Sequence, residues 1–137
     1  MLALRELGRL GLREWHRLLR GGGTVLFTNP ITVTGLLRRE EMIVRSGGMG
    51  AFVFTPPGLD EQLIRQAGFV DIRVEDVSES PARVASAWHS ARQRRARHLD
   101  EVEGPPQNRS VQRFLSTVAI LARERRLSRY AYTARRA

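Results

Sequence analysis

The first 28 residues show helical spacing of apolar positions followed by an unbroken apolar run. Leucines and Trp15 recur every three or four positions between arginines, which predicts an amphipathic helix over residues 2–19. Glycine accepts a positive φ without a Cβ clash, so the glycines at 21–23 are expected to end this helix and turn the chain. Residues 24–28 lack polar alternation, which predicts a strand buried on both faces of a parallel sheet.

The next segment has a weaker pattern. Residues 34–45 predict a short helix, with Glu40 and Glu41 early and Arg45 late. The glycine-rich residues 46–50 predict a hinge. The apolar residues 51–57 end at two prolines and are interpreted as a segment over the mouth of a pocket.

The remaining pattern alternates between helical and strand spacing. Residues 59–68 predict a helix ended by Gly68, and the alternation of residues 70–74 predicts a strand buried on one side. A thin apolar line predicts one long helix from Ser80 to Glu103, broken by a glycine and two prolines. A strong stripe over residues 111–122 predicts a further helix, and residues 126–136 predict the final strand.

Composition narrows the possible classes of protein. A chain of 137 residues with 42% hydrophobic content predicts one globular domain. The absence of cysteine excludes disulfides, thiolate zinc sites and cysteine nucleophiles, and it favours a cytoplasmic location. The net charge of +9 comes with arginine and no lysine, which points to coding bias more than to a phosphate-binding surface.

Three motifs, in this order and spacing, resemble the C-terminal half of class I S-adenosylmethionine-dependent methyltransferases. They are LLRGGGTVLFTNP at residues 18–30, LDEQLIRQAGFVDIRVED at 59–76 and RLSRYAYTARR at 126–136. The resemblance implies an α/β fold: a partial Rossmann-like sheet of about three strands, with the last strand antiparallel between the other two. It also implies a single domain over residues 1–137 with a helical insertion at about 80–126.

The function that the resemblance implies is methyl transfer to a small molecule with S-adenosylmethionine as cofactor. The glycine-rich turn that follows the first strand in the family, and holds the cofactor, has no counterpart in this sequence. We therefore expect a truncated enzyme, one half of a split enzyme or a degenerate relative, inactive alone. The strand at 24–28 would keep an unpaired edge, which predicts association with a second chain or a homodimer.

The resemblance implies substrate contacts near the end of the first strand and in the insertions. The corresponding residues are Asn29, Thr34, Glu41, Arg45, Phe54, Trp88 and His89. Each also has a structural interpretation: a turn for Asn29, a helix-stabilising pair for Glu41 with Arg45, and core packing for Phe54 and Trp88. His89 is either a general base or a solvated helix residue. No residue is assigned to catalysis, and no metal-ligand spacing is present in the sequence.

A second function stays open at this stage. Four arginines, at positions 92, 94, 95 and 97, cover more than one face of the predicted long helix. They are either a solvated face or part of a basic nucleic-acid-binding module built from the helices at 81–103 and 108–127. The module would bind with a steep dependence on salt.

Overall fold

A computed structural model describes residues 2–29, 31–47 and 54–137. The helices are α1 (Leu2–Leu18), α2 (Arg39–Gly47), α3 (Leu59–Gln66), α4 (Glu79–Arg94), α5 (Ala96–Glu103) and α6 (Pro105–Arg123). The strands are β1 (Thr24–Thr28), β2 (Thr32–Val33), β3 (Phe69–Asp76), β4 (Leu127–Ser128) and β5 (Tyr130–Arg136). None of the described helices has the length and apolar content that a membrane span requires.

The chain divides into two compact units. The first, called the sheet unit, comprises Met1–Val33, Val53–Asp76 and Arg129–Ala137. The second, called the helical unit, comprises Thr34–Phe52 and Val77–Ser128. The prediction of a single domain over the whole chain is not tested by this division and stays a prediction.

The sheet unit is built on three strands in the order β1–β5–β3. Strand β5 is antiparallel to both neighbours, with Leu26 opposite Thr133 on one side and Val74 opposite Tyr132 on the other. The prediction that the last strand is reversed and lies between the other two is therefore confirmed. Three segments that are distant in sequence meet only because β5 supplies hydrogen bonds to both of its neighbours.

The core of the sheet unit lies between the sheet and helices α1 and α3. Its buried members are Leu12, Leu63, Ile64, Ala67, Phe69, Tyr132 and Ala134. Aromatic rings extend this core: Phe27 stacks on Tyr132 at 5.3 Å, and Trp15 meets Phe27 edge-on at 5.5 Å. Ring pairs at these separations stabilise a core beyond simple area burial.

The helical unit has a second, smaller core. Ala85 of α4 packs with three residues of α6, and half-buried valines surround them; the α6 members are Phe114, Leu115 and Ala119. The prediction of one long helix from Ser80 to Glu103 is wrong, because the structure has two helices, α4 and α5, over this segment. Arg95, at φ −115° and ψ 17°, leaves the helical conformation and separates α4 from α5.

The burial of the two outer strands of the sheet, β1 and β3, differs from the prediction. The side chain of Leu26 in β1 is 70% exposed, so this strand is not buried on both faces by the described residues. In β3 a bulge between Val70 and Arg73 places Asp71 at φ 53° and interrupts the predicted alternation. Val70 and Val74 are consequently on the surface, whereas Phe69 is buried.

The region between β1 and α3 was predicted least well. Helix α2 begins at Arg39, later than the predicted start at residue 34, and the backbone N–H of Arg38 donates to the Glu41 carboxylate at 2.8 Å. The predicted hinge at 46–50 and apolar segment at 51–57 lie largely outside the described residues. Thr55 is described and forms a parallel bridge with Thr32.

Two glycines of the sheet unit are predicted to respond to alanine with opposite signs. Gly68 has φ +93°, and an added Cβ would lie 3.1 Å from His16 Nε2, so Gly68→Ala is expected to lower the free energy of unfolding by about 1–2 kcal/mol. Gly11 lies within α1, and an added Cβ there would meet no other atom within 4 Å. Gly11→Ala is therefore expected to raise the free energy of unfolding by about 0.5–1 kcal/mol. Urea denaturation of both variants measures the difference, and equal effects would contradict the assigned conformations.

Candidate functional site

A buried polar network surrounds Asn29 directly after β1. Asn29 is 4% exposed, and its Nδ2 donates to Asp60 Oδ2 at 2.7 Å and to Thr32 Oγ1 at 2.5 Å. The same nitrogen lies 3.3 Å from Thr55 Oγ1, and the backbone N–H of Tyr130 donates to Asn29 Oδ1 at 3.3 Å. Both ends of the amide are therefore satisfied within the sheet unit, as buried polar groups require.

The network includes one half-buried acid, Asp60. Asp60 lies in the first turn of α3 and also accepts a hydrogen bond from the hydroxyl of Tyr132. Burial raises the pKa of Asp60, and the hydrogen bonds from Asn29 and Tyr132 oppose that rise. Burial, together with the charge of Asp60, also raises the pKa of Tyr132, so its hydroxyl stays a donor at neutral pH.

In the helical unit, Thr34 and Glu41 both bind the segment that follows α6. The Glu41 carboxylate accepts from Arg126 Nη1 and Nη2 at 2.7 and 2.8 Å, a bidentate pair. Hydrogen bonds from Arg126 and from the backbone of Arg38 lower the pKa of Glu41. The hydroxyl of Thr34 donates to the Arg125 carbonyl at 2.7 Å and lies 2.8 Å from Ser128 Oγ. These contacts hold the segment before α2 against the end of α6.

Arg45 is the most deeply buried charged residue predicted to contact substrate. Its side chain leaves α2 and is 8% exposed, and its Cζ lies 4.9 Å from the centroid of the Phe114 ring. Burial lowers the pKa of Arg45 to about 10, so the guanidinium is still charged at neutral pH. A charged guanidinium over an aromatic face is attracted by the ring quadrupole.

The other three predicted contacts, Phe54, Trp88 and His89, do not belong to either of these polar networks. Phe54 is half-buried in the sheet unit, and His89 is half-buried on α4. Trp88 is 48% exposed and lines a cavity with residues of α4 and α5. Thr34 and Glu41 thus meet at one segment, whereas Asn29 belongs to a separate network in the sheet unit. Among the described residues, no three histidine or acidic side chains are grouped as a metal site would require.

The arginine run on α4 and α5 is partly neutralised. Arg92 binds the Glu103 carboxylate through both terminal nitrogens, and Arg97 Nε lies 3.7 Å from Glu101. Two of the four positive charges therefore have carboxylate partners. This arrangement weakens the basic surface that a nucleic-acid-binding module would use.

Sequence reasoning missed the partners that fix these residues. Asp60, which bonds to Asn29, lies 31 residues further along the chain, and Tyr132, which bonds to Asp60, comes from the final strand. Arg126 bonds to Glu41 across a separation of 85 residues. The sequence offered only weak signals, because Asp60 resembles an ordinary first-turn acid and Arg126 is one of many arginines. Only the register of β5 and the packing of α6 bring them together.

Solved structures with the same fold are methyltransferases and related enzymes. A phosphoethanolamine N-methyltransferase 2 from Haemonchus contortus matches 91% of this chain at 15% identity with a TM-score of 0.75. The cyclopropane synthase MmaA2 from Mycobacterium tuberculosis matches 96% at 18% identity with a TM-score of 0.76. The mycolic acid cyclopropane synthase CmaA1, solved with S-adenosylhomocysteine and CTAB, matches 95% at 18% identity with a TM-score of 0.80.

This chain has the fold of part of a class I S-adenosylmethionine-dependent methyltransferase domain. The resemblance seen in the sequence motifs is thereby confirmed for the fold, and so is the partial Rossmann-like sheet with a reversed last strand. The chain spans 29% of the H. contortus methyltransferase and 50% of each cyclopropane synthase. No protein-family profile and no curated protein matches the sequence. None of these methyltransferase-fold neighbours supports the nucleic-acid interpretation.

The raised pKa of Asp60 predicts a specific pH dependence of stability. The folded protein keeps the Asp60 proton at pH values where the unfolded chain has lost it, so this group makes the free energy of unfolding fall as pH rises. The window runs from the ordinary aspartate pKa of about 4 up to the raised native value. Asp60→Asn keeps an acceptor for Asn29 but cannot titrate, and this contribution is expected to vanish from its stability profile.

Urea denaturation of both proteins from pH 4 to pH 8 measures the difference. Glu14, Glu41 and Glu103 have lowered pKa values and act with the opposite sign, so only the difference between wild type and Asp60→Asn isolates Asp60. Parallel profiles for the two proteins would contradict the burial of this carboxyl group.

Proposed function

We propose that this chain is the substrate-side half of a small-molecule methyltransferase domain, over residues 1–137 with a helical insertion at about 80–126. The observation that carries the proposal is the match of nearly the whole chain to about half, or less, of solved methyltransferase-fold proteins. The remaining half would belong to a second polypeptide or to a longer form of this one. The proposal keeps the cytoplasmic location predicted from the sequence.

The apolar edge of β1 supports a missing neighbour. Strand β1 pairs with β5 on one side, and among the described residues no strand pairs with its other side. Beside this edge lies a groove of about 330 Å³ between α1 and β1, called the β1 groove, lined by Trp15, Leu18, Leu19, Val25 and Leu26. Leu18 of α1 is 66% exposed and Leu26 of β1 is 70% exposed, so the groove has large apolar side chains open to solvent. Exposed apolar patches of this kind mark interaction sites.

The other outer strand shows how a natural edge is protected. Strand β3 carries the bulge at Asp71 and the exposed charges of Arg73 and Glu75, features that discourage pairing with another strand. Strand β1 has the sequence TVLFT and no such protection. Because α1 leads directly into β1, the expected neighbour is a strand parallel to β1, joined as in a strand–helix–strand unit.

The described residues of this chain do not fit S-adenosylmethionine. The H. contortus methyltransferase and CmaA1 were solved with S-adenosylhomocysteine, which supports S-adenosylmethionine as the cofactor of the complete domain. In this chain the glycine turn precedes β1, and its N–H groups are already used: Gly22 donates to the Arg136 carbonyl and Gly23 to the Arg20 carbonyl. We therefore infer that the other half binds the cofactor.

The contribution of this half would be to position the substrate. Methyl transfer is an in-line displacement that depends on alignment and exclusion of water. Arg45, Phe54, Trp88 and His89 stay the candidate substrate contacts. Asn29, Thr34 and Glu41 also stay candidates, although each already bonds to groups of this chain and would first serve to hold the backbone in place.

The first test is cofactor binding by the chain alone. Isothermal titration with S-adenosylmethionine is expected to give no saturable heat at protein concentrations in the micromolar range, because the required glycine turn is missing. Circular dichroism and a cooperative unfolding transition control for correct folding. A dissociation constant of about 1–10 μM for the isolated chain, equivalent to about 7–8 kcal/mol, would contradict the division of roles.

The second test concerns the β1 groove. The wild-type chain is expected to self-associate at micromolar concentration in the absence of the other half, because an apolar groove and an open strand edge lie side by side. Leu26→Arg is expected to weaken this association by about tenfold or more, since it replaces an apolar contact by a charge. Sedimentation velocity measures both proteins.

The matched control is Leu36→Arg in the helical unit. Leu36 is 90% exposed and does not line the β1 groove, so its replacement is expected to leave association unchanged. A monodisperse wild-type monomer at micromolar concentration, or equal effects of the two substitutions, would count against the proposed edge.

A further inference from the structure

A cavity of about 400 Å³ lies where α4 meets α5, and we call it the elbow cavity. Its lining residues are Trp88, Ala91, Arg92, Arg94, Arg95 and Leu99. Most of them are spaced three or four positions apart, so they fall on one side of the two successive helices. The volume is within the range of about 300–1,000 Å³ that is typical of small-molecule sites.

The elbow cavity has an apolar wall. Trp88, Ala91 and Leu99 supply this wall, and the indole of Trp88 is 48% exposed. The sequence predicted these residues as part of a thin apolar line along one helix. The helix break at Arg95 places Trp88 and Ala91 on α4 and Leu99 on α5. All three side chains line the same cavity.

The charges around this wall are not balanced. Arg92 is held by Glu103 and by Asn108 Oδ1 at 3.0 Å, while Asn108 also donates to Asp100 at 2.9 Å. In the described part of the chain, Arg92 and Arg97 form ion pairs with carboxylates, whereas Arg94 and Arg95 do not. The lining of the cavity therefore includes two arginines without an acidic partner, next to an apolar wall.

One donor inside this arrangement is also unused. Arg92 Nε is buried and makes no hydrogen bond to any described residue, although the two terminal nitrogens of the same guanidinium are bonded. A buried donor without an acceptor is costly, and an acceptor supplied by a ligand would remove that cost. Arg92 therefore adds a donor in the cavity lining that a hydrogen-bond acceptor on a ligand would satisfy.

We propose that the elbow cavity binds a free carboxylic acid with an apolar body. The apolar body packs against Trp88 and Leu99, and the carboxylate binds Arg94 and Arg95, whose planar guanidinium groups match its geometry. This site lies wholly within the helical unit, so it needs neither S-adenosylmethionine nor a second half of the domain. It shares Trp88 with the candidate substrate contacts, but carboxylate binding is measured without cofactor, so its failure is distinguishable from failure of the proposed methyl transfer.

The test uses laurate below its micellar concentration as the probe. In the Trp15→Phe protein Trp88 is the only tryptophan, and its emission is expected to shift to the blue in a saturable manner as laurate is added. Arg94→Gln/Arg95→Gln is expected to weaken binding at least about tenfold, the size expected for losing charge-assisted hydrogen bonds. Calorimetry on the wild-type chain gives the same affinity without relying on fluorescence.

The matched control is Arg83→Gln/Arg113→Gln, which removes the same charge from exposed helix positions outside the cavity lining. This control is expected to bind laurate like the wild type, and dodecyltrimethylammonium is expected not to shift Trp88. Equal loss in both double variants, equal binding of the cationic probe, or absence of saturable laurate binding would overturn the proposal. A Trp88 shift with phosphatidylglycerol vesicles but not with monomeric laurate would also overturn it, in favour of a membrane surface.

Discussion

The reversed strand β5 is the constraint on which the sheet unit depends. It hydrogen-bonds to β1 and β3, and Tyr132 and Ala134 point from it into the buried core. The backbone N–H and carbonyl of Tyr130 also reach Asn29, so the same strand fixes the network after β1. Residues separated by more than 100 positions thus become neighbours through one strand.

This arrangement gives the two sides of the sheet different characters. The β3 side ends in a bulge and charged residues, whereas the β1 side ends in an apolar strand beside an apolar groove. A strand with such an edge is normally covered, because its unpaired backbone groups and exposed leucines favour association. Under the proposed function, this edge is the side on which more of the sheet would be added.

The elements of the sheet unit were largely predictable from the sequence, because each has a local signal. Helix α1 ends at Leu18, shortly before the glycines 21–23, and α3 ends at Gln66, two residues before Gly68. The final strand, β5 (Tyr130–Arg136), lies within the predicted residues 126–136. The bulge at Asp71 and the break at Arg95 were not predictable, since both depend on register and packing and neither carries a glycine or proline. The prediction that β1 is buried on both faces was wrong, because an apolar run does not reveal which elements, if any, cover each face of the strand.

The site was less predictable than the fold. The sequence singled out Asn29 and Glu41, but the groups that hold them, Asp60 and Arg126, come from distant elements. Trp88 was recognised as an aromatic residue on a helix, whereas the cavity that it lines arises from the break between α4 and α5. A single sequence indicates which residues have useful chemistry, while their partners depend on tertiary contacts.

The topology of β1 and β5 carries the whole account, and engineered disulfides test it directly in a chain without cysteine. Leu26 lies opposite Thr133. Hydrogen-bonded and non-hydrogen-bonded pairs alternate along an antiparallel ladder, and hydrogen bonds join Asn29 to Tyr130 and Gly23 to Arg136. Leu26 lies an odd number of positions from both Asn29 and Gly23, so Leu26–Thr133 is a non-hydrogen-bonded pair. Such pairs have Cα atoms about 4.5 Å apart, within disulfide range. Leu26→Cys/Thr133→Cys is expected to form an intramolecular disulfide on mild oxidation, and the register-shifted Leu26→Cys/Arg135→Cys is not. Equal cross-linking of both variants, or none in the first, would contradict the reversed strand between β1 and β3.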